Sequence, residues 1–317
     1  MQFAQTQGYQ RIESLAGKWK FSIGDNKDWA QANYNDSQWE SIRVPSAWEN
    51  NGFDGYDGFA WYRRTLLINK PLRNTSLYLH LGYIDDVDEV YVNGNLIGFS
   101  GSMPPQYTTA YNAFRRYYIP NEYINYGKAN VISVRVYDAE LGGGIVNGEV
   151  GLYADFNPIP FDFDLQGPWK FMLGDNINYR KPEYNDFNWH TITVPRAWED
   201  QGYRDYDGYA WYRKKFYVTG NYDNDRMIVI LGKIDDFDEV YLNGEYIGPT
   251  KRISENRNTN YNQLRAYYIS GKLLRQGKTN ILSVRVLDIG GMGGIYEGPI
   301  GIVKQKNFIE YWKNKNR

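Results

Sequence analysis

The sequence predicts an all-β chain built as two tandem antiparallel β-sandwich domains, and three observations carry that expectation. First, the chain repeats itself at a constant offset of 150 residues from Gly17 onward. YNDSQW (Tyr34 to Trp39) returns as YNDFNW, VPSAWE (Val44 to Glu49) as VPRAWE, and IDDVDEVYVNG (Ile84 to Gly94) as IDDFDEVYLNG. Roughly 45% of the paired positions are identical, too many for chance, and the period is the size of a whole domain. Second, short runs rich in β-branched and aromatic residues recur, closed by Gly, Asn or Asp. Third, Asn-Gly stands between two extended runs in each half, the strongest short-range hairpin signal.

Taken in order, SLYLHLG (Ser76 to Gly82), DEVYVNG (Asp88 to Gly94) and VISVRVYD (Val131 to Asp138) read as strands. Their alternation assigns faces. Val90 and Val92 share one side, Glu89 and Tyr91 the other; Ile132, Val134 and Val136 oppose Ser133, Arg135 and Tyr137. The second half repeats this with Val240 and Leu242, then Leu282, Val284 and Val286. The expected domains are 1–155 and 156–303, with a tail at 304–317. Prolines 158 and 160 mark a stiff, extended linker over 154–166. The tail is expected as a short helix with Phe308, Ile309 and Trp312 on one side, or as a packed tail or a frayed end.

Composition excludes several classes. A net charge of -1 gives no electrostatic pull toward nucleic acid, and no apolar run is long enough to span a bilayer. No cysteine means no disulfide and no thiolate nucleophile. No secretion signal opens the sequence. No GxSxG occurs, and His80 and His190 do not occupy equivalent positions, so the expectation leans away from an enzyme. The 30 tyrosines, 14 phenylalanines and 10 tryptophans suit either β-cores or surfaces that stack sugar rings.

Three stretches carry a family resemblance: Val44 to Arg64, Ile84 to Gly98, and Ile132 to Tyr153 with its GGGI. In order and spacing they resemble the amino-terminal sugar-binding domain of glycoside hydrolase family 2, here doubled and without the catalytic barrel. The resemblance implies a galactose-binding-like jelly roll for each half and a carbohydrate partner. It also implies a secreted, periplasmic or cell-surface setting. The barrel that supplies the catalytic carboxylates in that family needs ~250 residues, which these two halves leave no room for. Such domains often hold a structural calcium. The acidic run Asp85, Asp86, Asp88 and Glu89, with Asp235, Asp236, Asp238 and Glu239, invites that ion but lacks EF-hand spacing. No other cofactor is expected.

Two sets of candidate ligand-binding residues follow. The strand-face set is Trp61, Arg63, Glu89, Tyr91 and Arg135, with Trp211, Arg213, Glu239, Tyr241 and Arg285 in the second half. It would serve as a sugar platform, or as cross-strand ion pairs that only support the sheet. The loop set is Trp48, Glu49, Tyr56, Asp57 and Asp138, with Trp198, Glu199, Tyr206, Asp207 and Asp288. It sits where strands end, beside glycines 142 to 144. Tyr56, Asp57 and Asp138 match the regions that approach substrate in the family.

The reading is non-catalytic carbohydrate binding, alone or beside a catalytic domain. The alternative is a protein-interaction module with no sugar site. A third possibility is one live and one decayed site. Tyr137 against Leu287, and Met103 to Tyr107 against Ile253 to Arg257, favour the first copy as the live one.

Overall fold

A computed structural model describes residues 9–70, 72, 75–249, 253, 259 and 261–315. The chain divides into two compact units: residues 1–158 with 200–202, and residues 159–199 with 203–317.

The first unit runs β1 (Tyr9–Ser14), β2 (Gly17–Ile23), β3 (Glu40–Val44), β4 (Gly58–Leu67), β5 (Ser76–Asp85), β6 (Val87–Val92), β7 (Asn95–Ser100), β8 (Phe114–Ile119), β9 (Ala129–Asp138) and β10 (Gly144–Asp155). Four strands pair in the order β1-β10-β5-β8 and six in the order β3-β2-β4-β9-β6-β7, all antiparallel. One buried cluster takes residues from both sheets. Leu77, Leu79 and Leu81 of β5 share it with Val90 and Val92 of β6 and Ile132, Val134 and Val136 of β9. The β6 and β9 faces are those that period-two alternation assigned, because successive side chains of a strand point to opposite sides. The hairpin forms at Asn93-Gly94, both with positive φ (51° and 84°), as a right-twisted two-residue turn demands. Asn93 also ties the turn to β9: its side chain donates to Asn130 Oδ1 at 2.8 Å and accepts from Val131 N at 2.9 Å.

The second unit runs β11 (Phe163–Asp164), β12 (Gly167–Leu173), β13 (His190–Val194), β14 (Gly208–Tyr217), β15 (Arg226–Asp235), β16 (Phe237–Leu242), β17 (Glu245–Gly248), β18 (Leu264–Ser270), β19 (Thr279–Asp288), β20 (Gly294–Lys304) and the helix α1 (Gln305–Lys315). Its sheets, β11-β20-β15-β18 and β13-β12-β14-β19-β16-β17, repeat the first unit's order. Register repeats too: Gly58 faces Asp138 across β4 and β9, and Gly208 faces Asp288 across β14 and β19.

One local expectation is extended and one corrected. In the stretch 154–166, expected as a stiff, extended connection, Ile159 and Phe161 also pack with Ile228, Ile230 and Val303. In α1 the packed side chains are Phe308 and Tyr311, while Ile309 and Trp312 stay 44% and 36% exposed. The helix lies on the outer side of β15 and β20, where isoleucine and valine make an apolar seat for it.

A charge pair sits inside each core. In the first unit Arg115 Nε donates to Asp88 Oδ1 at 2.7 Å with both side chains fully buried. The second unit repeats it as Arg265 to Asp238 at 2.8 Å. Asp88 therefore leaves the acidic run it belongs to in sequence.

Candidate functional site

The connection from β2 to β3 folds across the outer face of the six-stranded sheet, and the strand-face set is consumed in holding it there. Arg63 Nε donates to Asp36 at 2.8 Å, and its Nη1 donates to the Gln31 carbonyl at 3.0 Å and to Ser133 at 3.1 Å. Asp25 accepts from Trp61 Nε1 at 3.1 Å and from Arg135 Nε at 2.7 Å. Glu89 accepts from Arg135 at 3.1 Å, Lys27 at 2.6 Å and Tyr91 at 2.8 Å. Trp61 stacks on Tyr91 at 5.8 Å and meets Trp29 edge-on at 6.2 Å, and it is fully buried. Burial opposes ionisation of Asp25 and Glu89. Hydrogen bonds from Arg135 and Trp61 to Asp25, and from Lys27 to Glu89, outweigh it and hold both below the usual carboxylate range.

The second unit builds the same clamp. Arg213 donates to Asp186 at 2.9 Å, Arg285 to Asp175 at 2.8 Å and to Glu239 at 3.1 Å, and Tyr241 to Glu239 at 2.8 Å. Trp211 and Tyr241 are buried with Trp189 in a small aromatic cluster. The platform expectation is thus corrected for Trp61, Arg63, Glu89, Tyr91 and Arg135, and for Trp211, Arg213, Glu239, Tyr241 and Arg285. An arginine that must satisfy loop carbonyls and a tryptophan covered by that loop offer no face to a sugar. The partners Asp25, Asp36, Asp175 and Asp186 were missed; the signal for them was their place in the repeated GDN and YND motifs.

The loop set divides differently. Trp48 and Trp198 are sealed in the two cores, so neither is a stacking surface. Trp48 Nε1 donates to the Tyr56 carbonyl at 3.1 Å, and the two rings meet edge-on at 5.8 Å. Tyr56 is half-buried, and its hydroxyl donates to the Phe59 carbonyl at 2.7 Å; Tyr206 does the same to Tyr209. Asp57 and Asp207 are exposed. Glu49 Oε1 accepts from Gly143 N at 3.3 Å; Glu199 accepts from Gly293 N at 3.0 Å. Asp138 closes β9 with no solvent exposure, and both its carboxylate oxygens lack a hydrogen-bond partner.

Around Asp138 the strand ends gather acids. Carboxylate oxygens of Asp85, Asp86 and Asp138 lie within 4.8 Å of one another, and those of Asp235, Asp236 and Asp288 do likewise. Asp86 and Asp236 each accept a backbone N–H at 3.0 Å, from Ala139 and Ile289. Burial, then the charges of Asp86, Asp85, Glu49 and Asp57, push the Asp138 carboxyl up to about 8. Burial and then Asp86 push Asp85 up to about 6. Asp86 goes the other way: burial is outweighed by hydrogen bonds from Thr109, Tyr107 and the Ala139 N–H. In the second unit burial, then contact with Asp236, raises Asp235 to about 7, and burial raises Asp288. Of the acidic runs read from the sequence, Asp88, Glu89, Asp238 and Glu239 face elsewhere, and the two clusters are completed by Asp138 and Asp288.

The glycine loop enforces this packing. A Cβ on Gly143 would stand 2.2 Å from Trp48 Cζ2 and 2.8 Å from Asp138 Cβ. Gly143→Ala is therefore expected to cost about 1–3 kcal/mol through overpacking. A urea midpoint equal to the wild type's would contradict that. Residues 254–257, whose divergence from the first copy suggested a decayed site, lie outside the described residues.

The fold and this loop end define an all-β chain with a repeated, acid-rich strand terminus and, among the described residues, one α-helix. Residues 24–141 match the family model described as the beta-galactosidase second all-beta domain. A putative beta-glucuronidase of Formosa agariphila is 32% identical over 140 residues, covering 40% of this chain and 13% of the relative. Beta-galactosidase BoGH2A of Bacteroides ovatus is 24% identical over 134 residues, covering 38% of this chain and 15% of the relative. The solved beta-glucuronidase of Ruminococcus gnavus in complex with D-glucuronic acid aligns at a TM-score of 0.40 and 13% identity, over 96% of this chain and 46% of that one. The chain resembles the accessory β-domain of glycoside hydrolase family 2. It spans under a sixth of the length of these curated relatives. No described helix is long and apolar enough to cross a membrane.

Proposed function

We propose that the chain binds carbohydrate without cleaving it, through the loop end of each unit, as an accessory part of a glycoside hydrolase system. Each unit is then a galactose-binding-like jelly-roll sandwich, and the setting is secreted or cell-surface. One observation carries the reading. With the sheet face occupied by its own loop, the loop end still holds buried, unpartnered acceptors at Asp138 beside half-buried Tyr56 and exposed Asp57 and Tyr107. Buried acceptors without donors are costly, and sugar hydroxyls are donors. The acid excess favours neutral sugars, such as galactosides, over glucuronates, whose carboxylate would meet like charge. Tyrosine rims supply the apolar faces that sugar rings stack on.

Isothermal titration against neutral β-galactosides and β-glucuronides tests it. Heat is expected with the neutral ligands, reduced severalfold by Asp57→Asn together with Asp207→Asn. Exposed side chains such as these leave the fold intact. Absence of heat with every glycan would remove the reading.

A further inference from the structure

We propose that a basic groove on the first unit, formed by β2, β3 and β4, is an anion site that takes a tetrahedral oxyanion, the sulfate or phosphate group of a small ester. The groove has a volume of about 450 Å³, and its lining includes Lys18, Lys20, Ser41, Arg63, Arg64 and Thr65 and no acid. Strand register opens it. β2 pairs with β4 only from Lys20 opposite Arg63 to Ile23 opposite Ala60, whereas it stays paired with β3 as far as Gly17 opposite Val44. Beyond Lys20 the strands β2 and β4 part, and Lys18 and Thr65 border the gap.

A like-charge pair carries the inference. Lys18 stands directly opposite Arg43 across β2 and β3, and both are exposed. Directly opposed residues share a face, and like charges there destabilise a sheet. Among the described residues neither has an acid within ion-pair reach. Two residues along β2, Lys20 stands opposite Arg63. Asp36 neutralises Arg63, but Lys20 donates only to the Trp39 carbonyl, at 3.2 Å. Arg64 donates to the Lys18 carbonyl at 2.8 Å and lies 6.0 Å over the Trp19 ring, again with no acid. The second unit shows that the fold does not require this charge. Pro168 stands opposite Thr193 at the corresponding pair. Lys170 is taken up by the carbonyls of Phe187 and Trp189, Lys214 by that of Pro168, and Lys215 by Asp186. The uncompensated cations belong to the first unit, and an anion in the groove offsets them.

Donor geometry selects the anion. The ammonium groups of Lys18 and Lys20 and the hydroxyls of Ser41 and Thr65 come from three strands, which suits oxygens spread over a tetrahedron. A planar carboxylate is best met by one free guanidinium fork, and Arg64 has part of its fork committed to a carbonyl. The groove lies toward the other end of β4 from Gly58, the residue that faces Asp138, so it is separate from the loop-end site.

The experiment is isothermal titration of the full chain at low ionic strength with inorganic sulfate, inorganic phosphate, glucose 6-sulfate, glucose 6-phosphate and glucuronate. The inorganic ions carry no sugar, so their binding is independent of the carbohydrate reading. All four tetrahedral ligands are expected to bind, and sodium chloride to weaken them by screening. Glucuronate should bind severalfold more weakly, and the tighter of the two esters names the source of the group. A Lys18→Gln, Arg43→Thr double variant should lose about tenfold in affinity with two charged donors gone. Without the anion it should melt no lower than wild type, because the opposed charges are removed. On added sulfate, whose general exclusion stabilises both proteins, it should gain less than wild type. Lys272→Gln with Lys278→Gln removes the same charge from exposed sites of the second unit and should bind as wild type does. No binding of sulfate or phosphate would overturn the proposal. So would full binding by the Lys18, Arg43 variant, an equal loss in the Lys272, Lys278 control, or glucuronate held as tightly as the esters.

Discussion

Asp88→Ala is expected to destabilise the first unit by about 3–5 kcal/mol, the cost of stranding one member of a buried ion pair. Arg115 and Asp88 are both without solvent exposure, 2.7 Å apart, and Arg115 cannot shed its charge. The Tyr117 hydroxyl also donates to Asp88, so the substitution removes a second hydrogen bond. Asp88→Asn should lose less, because the amide oxygen still accepts from Arg115. Urea unfolding checks it, read as separate transitions if the two units melt apart. Asp238→Ala should do to the second unit what Asp88→Ala does to the first. A loss below about 0.5 kcal/mol, the range of ordinary surface substitutions, would contradict the buried-pair account.

Acid should destabilise the first unit through His80. Burial, then the nearby charge of Arg116, depresses its imidazole to about 3. The ring stacks on Tyr153 at 3.9 Å and meets Phe114 edge-on at 5.2 Å, in a site that favours the neutral form. The unfolded chain takes up a proton near pH 6.5, the folded chain only near 3. The contribution is therefore full above about pH 6.5 and is lost progressively as pH falls between those values. The slope approaches about 1.4 kcal/mol per pH unit, so about 2 kcal/mol separates pH 6.5 from pH 5. His80→Ile is the control, because isoleucine stands at the equivalent position, Ile230, in the other unit. The stability gap between wild type and His80→Ile should shift with pH by that amount. A gap that stays constant from pH 7 to pH 5 would show that His80 does not titrate between its two states.

The candidate site was legible only in part. Asp138 was named from its place at a strand end and Asp85 and Asp86 from the acidic run, but their meeting was not read, because Asp85 lies on a different strand and adjacent acids in the run point to different neighbours. Asp88 turns into the core toward Arg115, Glu89 turns outward to Arg135, and Asp86 is held by Thr109 and the Ala139 N–H. For Trp48 the loop motif left two readings open, a pocket wall and a core plug. Its indole plugs the core beneath Gly143, where only a residue without a Cβ leaves room.

What the amino-acid order determined by itself is what local rules decide: the strands, their inward faces at Val90, Val92, Ile132, Val134 and Val136, the Asn93-Gly94 turn, and the repetition of all of these. Steric alternation and turn conformation act over two to four residues, so they are written in the chain. What only the tertiary structure decided is which outward faces remain open. Trp61 and Arg135 look the same in sequence whether a ligand or a loop covers them. The answer lies in Asp25, 110 residues from Arg135, whose carboxylate reaches that face once the chain has folded across it. Long-range closure of this kind depends on loop length and on competing partners in space, and no periodicity records either.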